Sequence, residues 1–265
     1  MKKGSLCLLW LCLLALCGGC AQRDDPIQDR SAENRLVIGC EIYQPYTYLD
    51  QDGSYAGVDV ELAREACRRL GYTPEFVQIE WDKKNDLLAA GQVDCLWSGF
   101  VMTGRETEYE WAGPYLTTRH VVAVQADEAV ESLSDLEGRT VAVQATSVAE
   151  HALLQQWPGL PRARAVYSFA TIDEAYACLR RGYADAVAGH EDTLRTLVDA
   201  VPGEYRLLDE ALCQAEVGVA FARGCDRTLV EELSRTLAEM EQDGTIRSVL
   251  DQYGMRGVQT VGEKE

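Results

Sequence analysis

Two short stretches, LAAGQVD (88–94) and LRRGYAD (179–185), decide the fold of this chain. They share the pattern Leu-x-x-Gly-x-x-Asp, and an apolar run follows each. The pattern reads as the last turn of a helix, a left-handed glycine cap, and then a parallel strand. One occurrence would carry little weight, because helix–glycine–strand is common in α/β proteins. Its recurrence, once in each half, predicts two lobes of like topology.

Around the first copy, RLVIGC (35–40) and PEFVQI (74–79) read as strands. Between them, GVDVELAREACRRLG (57–71) places Leu62, Ala63, Ala66, Cys67 and Leu70 at helical spacing and stops at Gly71. A short helix around Asp82–Ala90 precedes Gly91 and the strand VDCLW. Around the second copy, TVAVQ (140–144) is a strand, and SVAEHALLQQ (147–156) opens a helix with Ser147 and Glu150 as a capping box. Thr171 and Glu174 form a second box before AYACLRRG, and ADAVAG follows as a strand. Strands that alternate with helices imply a parallel sheet covered on both faces.

TTRHVVAVQ (117–125) and CQAEVGVAFARG (213–224) are β-rich and flank the second unit, so they read as two crossings between lobes. The helical pattern of Leu229, Val230, Leu233, Leu237 and Met240 should return to the first lobe. Two extended crossings make a hinge, because a few backbone torsions absorb the rotation. The expected division is lobe 1 at 35–119 and 218–257, lobe 2 at 120–217, and a C-terminal tail at 258–265.

Across 265 residues the formal net charge is −18. That acidity argues against a nucleic-acid partner, which needs a basic face. At the N-terminus, Lys2 and Lys3 precede the apolar run Leu6–Leu16, short of the roughly 20 residues that span a bilayer. ALCGGC ends the run and resembles a bacterial lipobox, although Cys17 stands where leucine is usual. Residues 1–20 are thus expected to be a lipoprotein signal, with Cys20 as the lipid anchor and ordinary secretion as the alternative. Residues 21–34 are polar, carry Pro26, and read as a tether. Cys40, Cys67, Cys95, Cys178, Cys213 and Cys225 remain beyond the signal, with no CxxC and no metal spacing with histidine. No metal or cofactor is expected, and most of these cysteines read as small core hydrophobes. Cys40 with Cys95 is the pair to examine for a bridge, which an extracytoplasmic location permits.

Four segments, YQPYTYLDQDGSYAGVDVELAREACRRLG, LLAAGQVDCLWSG, MTGRETEYEWAGPY and SLSDLEGRTVAVQ, run in the order of a known family. Through them the chain resembles the family-3, amino-acid-type extracytoplasmic solute-binding proteins of ABC importers over most of residues 35–254. The resemblance implies a two-lobed, type II periplasmic-binding-protein-like clamp. Such a protein works as a monomer that closes on a small solute and presents it to permease subunits at the membrane.

The site expectations follow from ligands of open α/β sheets, which bind beyond the carboxyl ends of the strands. In MTGRETEYEWAGPY (102–115), Arg105 stands shortly after the strand that ends near Ser98, Gly99 and Val101. Its guanidinium matches a carboxylate with two parallel hydrogen bonds. In the family the arginine of T-x-x-R grips the ligand's α-carboxylate; here the spacing is T-G-R, one residue shorter. The competing reading pairs Arg105 with Glu106, Glu108 or Glu110 on a solvated face. The helix start at Ser147 and Val148 offers backbone N–H groups to the same carboxylate, with Ser147 capping its own helix, touching the ligand, or both. Tyr43 and Trp81 occupy family positions that flank the ligand, whereas Trp97 and Trp111 read as core.

Where the family places an aspartate for the ligand ammonium, DAVAGHED puts His190, with Glu191 next to it. Either Glu191 takes that role through a one-residue shift, or the ammonium is unheld and the ligand is not an α-amino acid. Glu41 matches a position near the ligand's distal end and favours a polar or cationic side chain. Two further readings of the same fold are a cyclohexadienyl dehydratase-like enzyme, with Glu41 and His190 as its acid–base pair, and a ligand-sensing module.

Overall fold

A computed structural model describes residues 34–255 and 258–260. The signal, the tether and the proposed anchor Cys20 lie outside these residues. The elements are β1 (Arg35–Cys40), β2 (Tyr48–Leu49), β3 (Tyr55–Ala56), α1 (Val58–Leu70), β4 (Thr73–Gln78), α2 (Lys84–Ala89) and β5 (Cys95–Leu96). After the long β6 (Glu110–Gln125) come β7 (Thr140–Gln144), α3 (Val148–Leu154), β8 (Ala165–Phe169), α4 (Ile172–Arg180), β9 (Ala186–His190) and α5 (Glu191–Asp199). The chain closes with β10 (Tyr205–Leu207), β11 (Cys213–Phe221), α6 (Arg227–Gln242), α7 (Thr245–Gln252) and β12 (Gln259–Thr260).

One sheet runs β4-β1-β5-β11-β6-β9-β7-β8. Its two ends are parallel trios: β1 between β4 and β5, and β7 between β8 and β9. The antiparallel pair β6 and β11 lies between them and is shared by both lobes. The expected crossings are therefore there, but β6 begins at Glu110, well before residue 117. Gln259 and Thr260, expected in the tail, pair with Thr117 and Leu116 of β6 as β12.

The repeated heptad has a physical job. Gly91 and Gly182 take the left-handed conformation, at φ 65° and 69°. Each aspartate then bonds one residue of a neighbouring strand in both directions. Asp94 accepts from the Val37 N–H at 2.7 Å and donates its own N–H to the Val37 carbonyl at 2.8 Å. Asp185 does the same with Thr140, at 2.6 and 2.9 Å. The motif thus ties each helix–glycine turn to the N-terminal half of the central strand of its trio, at Val37 in β1 and Thr140 in β7.

Packing follows the apolar patterns. Leu62, Ala63, Ala66 and Cys67 of α1 are buried in the same core cluster as Val230, Leu233, Leu237 and Met240 of α6. The same cluster continues into the other lobe through Ile172, Leu179, Val187 and Leu194, and a second cluster, with Val122, Val141, Leu153 and Ala186, completes that lobe's core. Gly57 joins β3 to α1 at φ 123°, and a Cβ there would lie 2.3 Å from the Tyr46 carbonyl oxygen. Only glycine meets both conditions. The six cysteines are all free, and Cys40 is not joined to Cys95. In the β1–β5 register Cys95 faces Ile38, which leaves Cys40 two residues further along. Burial pushes the Cys40 thiol up to about 12, so it is a core side chain and not a nucleophile.

Candidate functional site

The carboxyl ends of β1, β5, β7 and β9 converge on a cleft lined by residues of both lobes. Lobe 1 supplies Glu41, Tyr43, Trp81, Ser98, Gly99, Phe100, Val101 and Arg105; lobe 2 supplies Gln144, Thr146, Ser147, Val148 and His190. Each expected site residue except Glu191 is in this lining. Phe100, Gln144 and Thr146 were not foreseen. The cleft is shut, with a void of about 30 Å³, enough for little more than a water molecule. A roomier cavity of about 710 Å³ lies beside α2, among Asn85, Leu88, Thr107 and Arg223. It is away from the strand ends, so the small cleft is the functional candidate.

Arg105 reaches the cleft despite the shortened T-G-R spacing. Glu216 of β11 clips the turn, its carbonyl accepting from the Met102 N–H at 2.8 Å and its N–H donating to Thr103 Oγ1 at 2.9 Å. The Arg105 guanidinium donates to the Val101 carbonyl at 3.2 Å and, across the cleft, to the Thr146 carbonyl at 2.8 Å. It lies 5.4 Å from the Phe100 ring centre, a cation–π contact. Of the neighbouring glutamates, Glu106 accepts from the Gly104 N–H, Glu110 pairs with Arg227 at 3.6 Å, and Glu108 is exposed, its carboxylate acting on Arg105 only through its charge. Among the described residues no carboxylate forms an ion pair with Arg105. Burial lowers its pKa, the expected response of a cation in poor solvation.

Glu41 ends the strand on the same lobe. The Ser98 hydroxyl accepts from the Glu41 N–H and donates to its carbonyl, both at 3.2 Å, which fixes the backbone. Its carboxyl accepts from Gln144 Nε2 of the opposite lobe at 2.6 Å. Burial raises its pKa from 4.5 to about 8, against the lowering influence of Gln144 and Lys84. The Gly99 turn beside it is held by Asp59, which accepts from the Gly99 N–H and from the Tyr115 hydroxyl, the latter at 2.7 Å. A Cβ on Gly99 would sit 3.1 Å from the Tyr46 ring.

Thr146 is the opposing contact point. It has φ 57°, rare for a β-branched residue, and all three of its polar groups are bound. Its N–H donates to Glu150 at 2.6 Å, its carbonyl receives Arg105, and its hydroxyl receives Lys84 Nζ at 2.9 Å. This corrects the capping expectation. Ser147 does cap α3, accepting from the Glu150 N–H at 3.1 Å, but the Glu150 carboxylate serves Thr146 and Ser168 instead of returning to Ser147. The box at Thr171 and Glu174 is complete.

His190 ends β9 with its ring among Tyr43, Tyr46 and His120, at centroid distances of 5.4, 5.3 and 4.2 Å. The Tyr46 hydroxyl lies 3.5 Å from His190 Nδ1 and 3.3 Å from an Asp192 carboxylate oxygen. Burial, then His120 and Arg105, hold the His190 pKa well below 6.5, so its ring is neutral. Burial likewise takes His120 down to about 3, and neither of its ring nitrogens has a hydrogen-bond partner. Glu191 lies outside the cleft lining. As the first residue of α5 it turns away from the cleft and pairs with Arg119 at 3.1 Å and Arg195 at 2.5 Å, beside a separate cavity of about 460 Å³. Glu41 and His190 have separate partners: the first is bonded to Gln144 and the second lies 3.5 Å from the Tyr46 hydroxyl.

Fold and cleft together define a two-lobed solute-binding clamp. The model of the bacterial extracellular solute-binding proteins, family 3, matches residues 36–256, and the chain belongs to that family. It is 26% identical to the arginine-binding extracellular protein ArtP of Bacillus subtilis (strain 168), over 94% of this chain and 96% of the relative. It is also 26% identical to the histidine-binding periplasmic protein of Salmonella typhimurium (strain LT2), over 83% and 87%. Among solved structures, Tv2483 bound to L-arginine is 30% identical and superposes with a TM-score of 0.76, over 87% of this chain and 94% of that one. Among the described residues no helix is long and apolar enough to cross a membrane.

Proposed function

We propose that this extracytoplasmic solute-binding protein captures an amino-acid-type solute and hands it to the permease of an ABC importer. In this reading it works as a monomer without catalytic activity, tethered to the membrane by a lipid on Cys20. The observation that carries the reading is the Arg105 guanidinium: it lines the cleft, has two backbone carbonyls as partners, and lacks a carboxylate partner among the described residues. A solute carboxylate would replace the neutral Thr146 carbonyl as acceptor, and a charge-assisted bond is about twice as strong as a neutral one. Tyr43, Trp81 and Phe100 would enclose the stem, and Glu41 would meet a polar or cationic end.

The arginine- and histidine-binding relatives support an amino-acid-type ligand and support binding over catalysis. The separate partners of Glu41 and His190 also favour binding over the dehydratase-like reading. Arg105→Ala should abolish solute binding measured by calorimetry while leaving the melting curve of the ligand-free protein intact. Unchanged affinity would refute capture by this residue. Loss of membrane association in Cys20→Ser would support the anchor, and retention would count against it.

A further inference from the structure

The two lobes contribute unequal charge to the cleft. Lobe 1 supplies one cation, Arg105, and one acid, Glu41; lobe 2 supplies Gln144, Thr146, Ser147, Val148 and a neutral His190. The two carboxylates nearest to His190 in sequence are committed elsewhere. Glu191 is held by two arginines, and Asp192 takes the Tyr46 hydroxyl while lining the cavity that Glu191 also lines. Lys84 adds a second cation at the Arg105 end, its Nζ bonded to the Trp81 carbonyl at 3.2 Å and to Thr146.

An α-amino acid with a cationic side chain carries a carboxylate and two cations. The carboxylate would meet Arg105 and the distal cation Glu41. The α-ammonium would then meet a neutral imidazole packed against a second one, in a positive field set by Arg105. A buried ammonium without an anion is costly. A neutral imidazole can offer only an acceptor lone pair, and His190 already shares Nδ1 with Tyr46.

We propose that the cleft selects a carboxylate bearing one distal cation, an ω-amino or ω-guanidino acid without an α-ammonium, and that His190 is the residue that rejects α-amino acids. This rests on carboxylate capture by Arg105. It adds a rejecting element, the means by which sites separate close analogues.

The test is calorimetry of the wild-type chain with two matched pairs: lysine against its deamino analogue, and arginine against its deamino analogue. At least one deamino analogue should bind tenfold or more tighter than its parent. His190→Asp should reverse the order, and His190→Asn, neutral like the native ring, should keep it. If in neither pair the analogue bound tighter than its parent, the proposal would be overturned, even if His190→Asp proved unable to fold. If another α-amino acid bound instead, in an Arg105-dependent way, this proposal would fall and carboxylate capture would stand. If no carboxylate bound at all, both would fall.

Discussion

Glu41→Gln should change how stability depends on pH. Burial holds the Glu41 carboxyl at about 8 in the folded chain, against 4.5 as its ordinary value. Between those values the folded state keeps a proton that the unfolded state has released. The stability Glu41 contributes is therefore full below its unfolded value and is lost as pH rises towards its folded value, at about 1.4 kcal/mol per pH unit. From about pH 5 to about pH 8 that amounts to at most roughly 4 kcal/mol. For a chain of this size each kcal/mol moves the melting midpoint by about 2–4 °C. Glutamine keeps an acceptor for Gln144 and cannot ionise, so the variant loses this slope while Asp59 and Asp192 titrate in both proteins. The assay is thermal melting of the two proteins, ligand-free, across that pH range, read as the difference in midpoint. The wild type should fall progressively relative to the variant. A difference that stays constant would refute the buried, protonated Glu41. With a cationic solute the sign reverses: capture of the cation favours the ionised acid, so affinity should rise with pH until the carboxyl is ionised in the free protein.

Two substitutions test the scaffold. Gly57→Ala forces a Cβ into the Tyr46 carbonyl at a positive φ, and it should cost about 3 kcal/mol or more in urea denaturation; near-wild-type stability would show that this junction relaxes freely. Asp185→Ala strips the Thr140 N–H of its side-chain acceptor and removes the 3.4 Å pair with Arg139. It should cost about 1–3 kcal/mol, and no loss would contradict the role given to the repeated heptad.

Much of the architecture was legible because it rests on local rules. Gly71, Gly91 and Gly182 mark helix ends, and the apolar spacing of α1 and α6 is carried into the core, with Leu70 and Leu229 partly buried at its margin. The repeated aspartates could be seen but not explained, since their partners Val37 and Thr140 lie 57 and 45 residues away. The same limit governs the site. Arg105, Glu41 and the aromatic walls follow strand ends and could be placed through resemblance. Gln144 and Thr146 matter because closure sets them opposite Glu41 and Arg105, and nothing local signals that. Glu191 was misplaced by a single step, because a strand end and the first helical residue after it send side chains in different directions. Arg119, which holds it, is 72 residues earlier in the chain, beyond any local pattern.

The shut cleft has the protein's own atoms in the places a solute would use. Thr146 stands as a stand-in for an acid, and Gln144 for a base. An arriving molecule therefore makes an exchange, and only what it offers beyond a neutral carbonyl at one end and a neutral amide at the other counts in its favour. An uncharged look-alike of the right length would gain only the burial of its stem between Tyr43, Trp81 and Phe100. Under carboxylate capture by Arg105, formal charge would be sorted before contour.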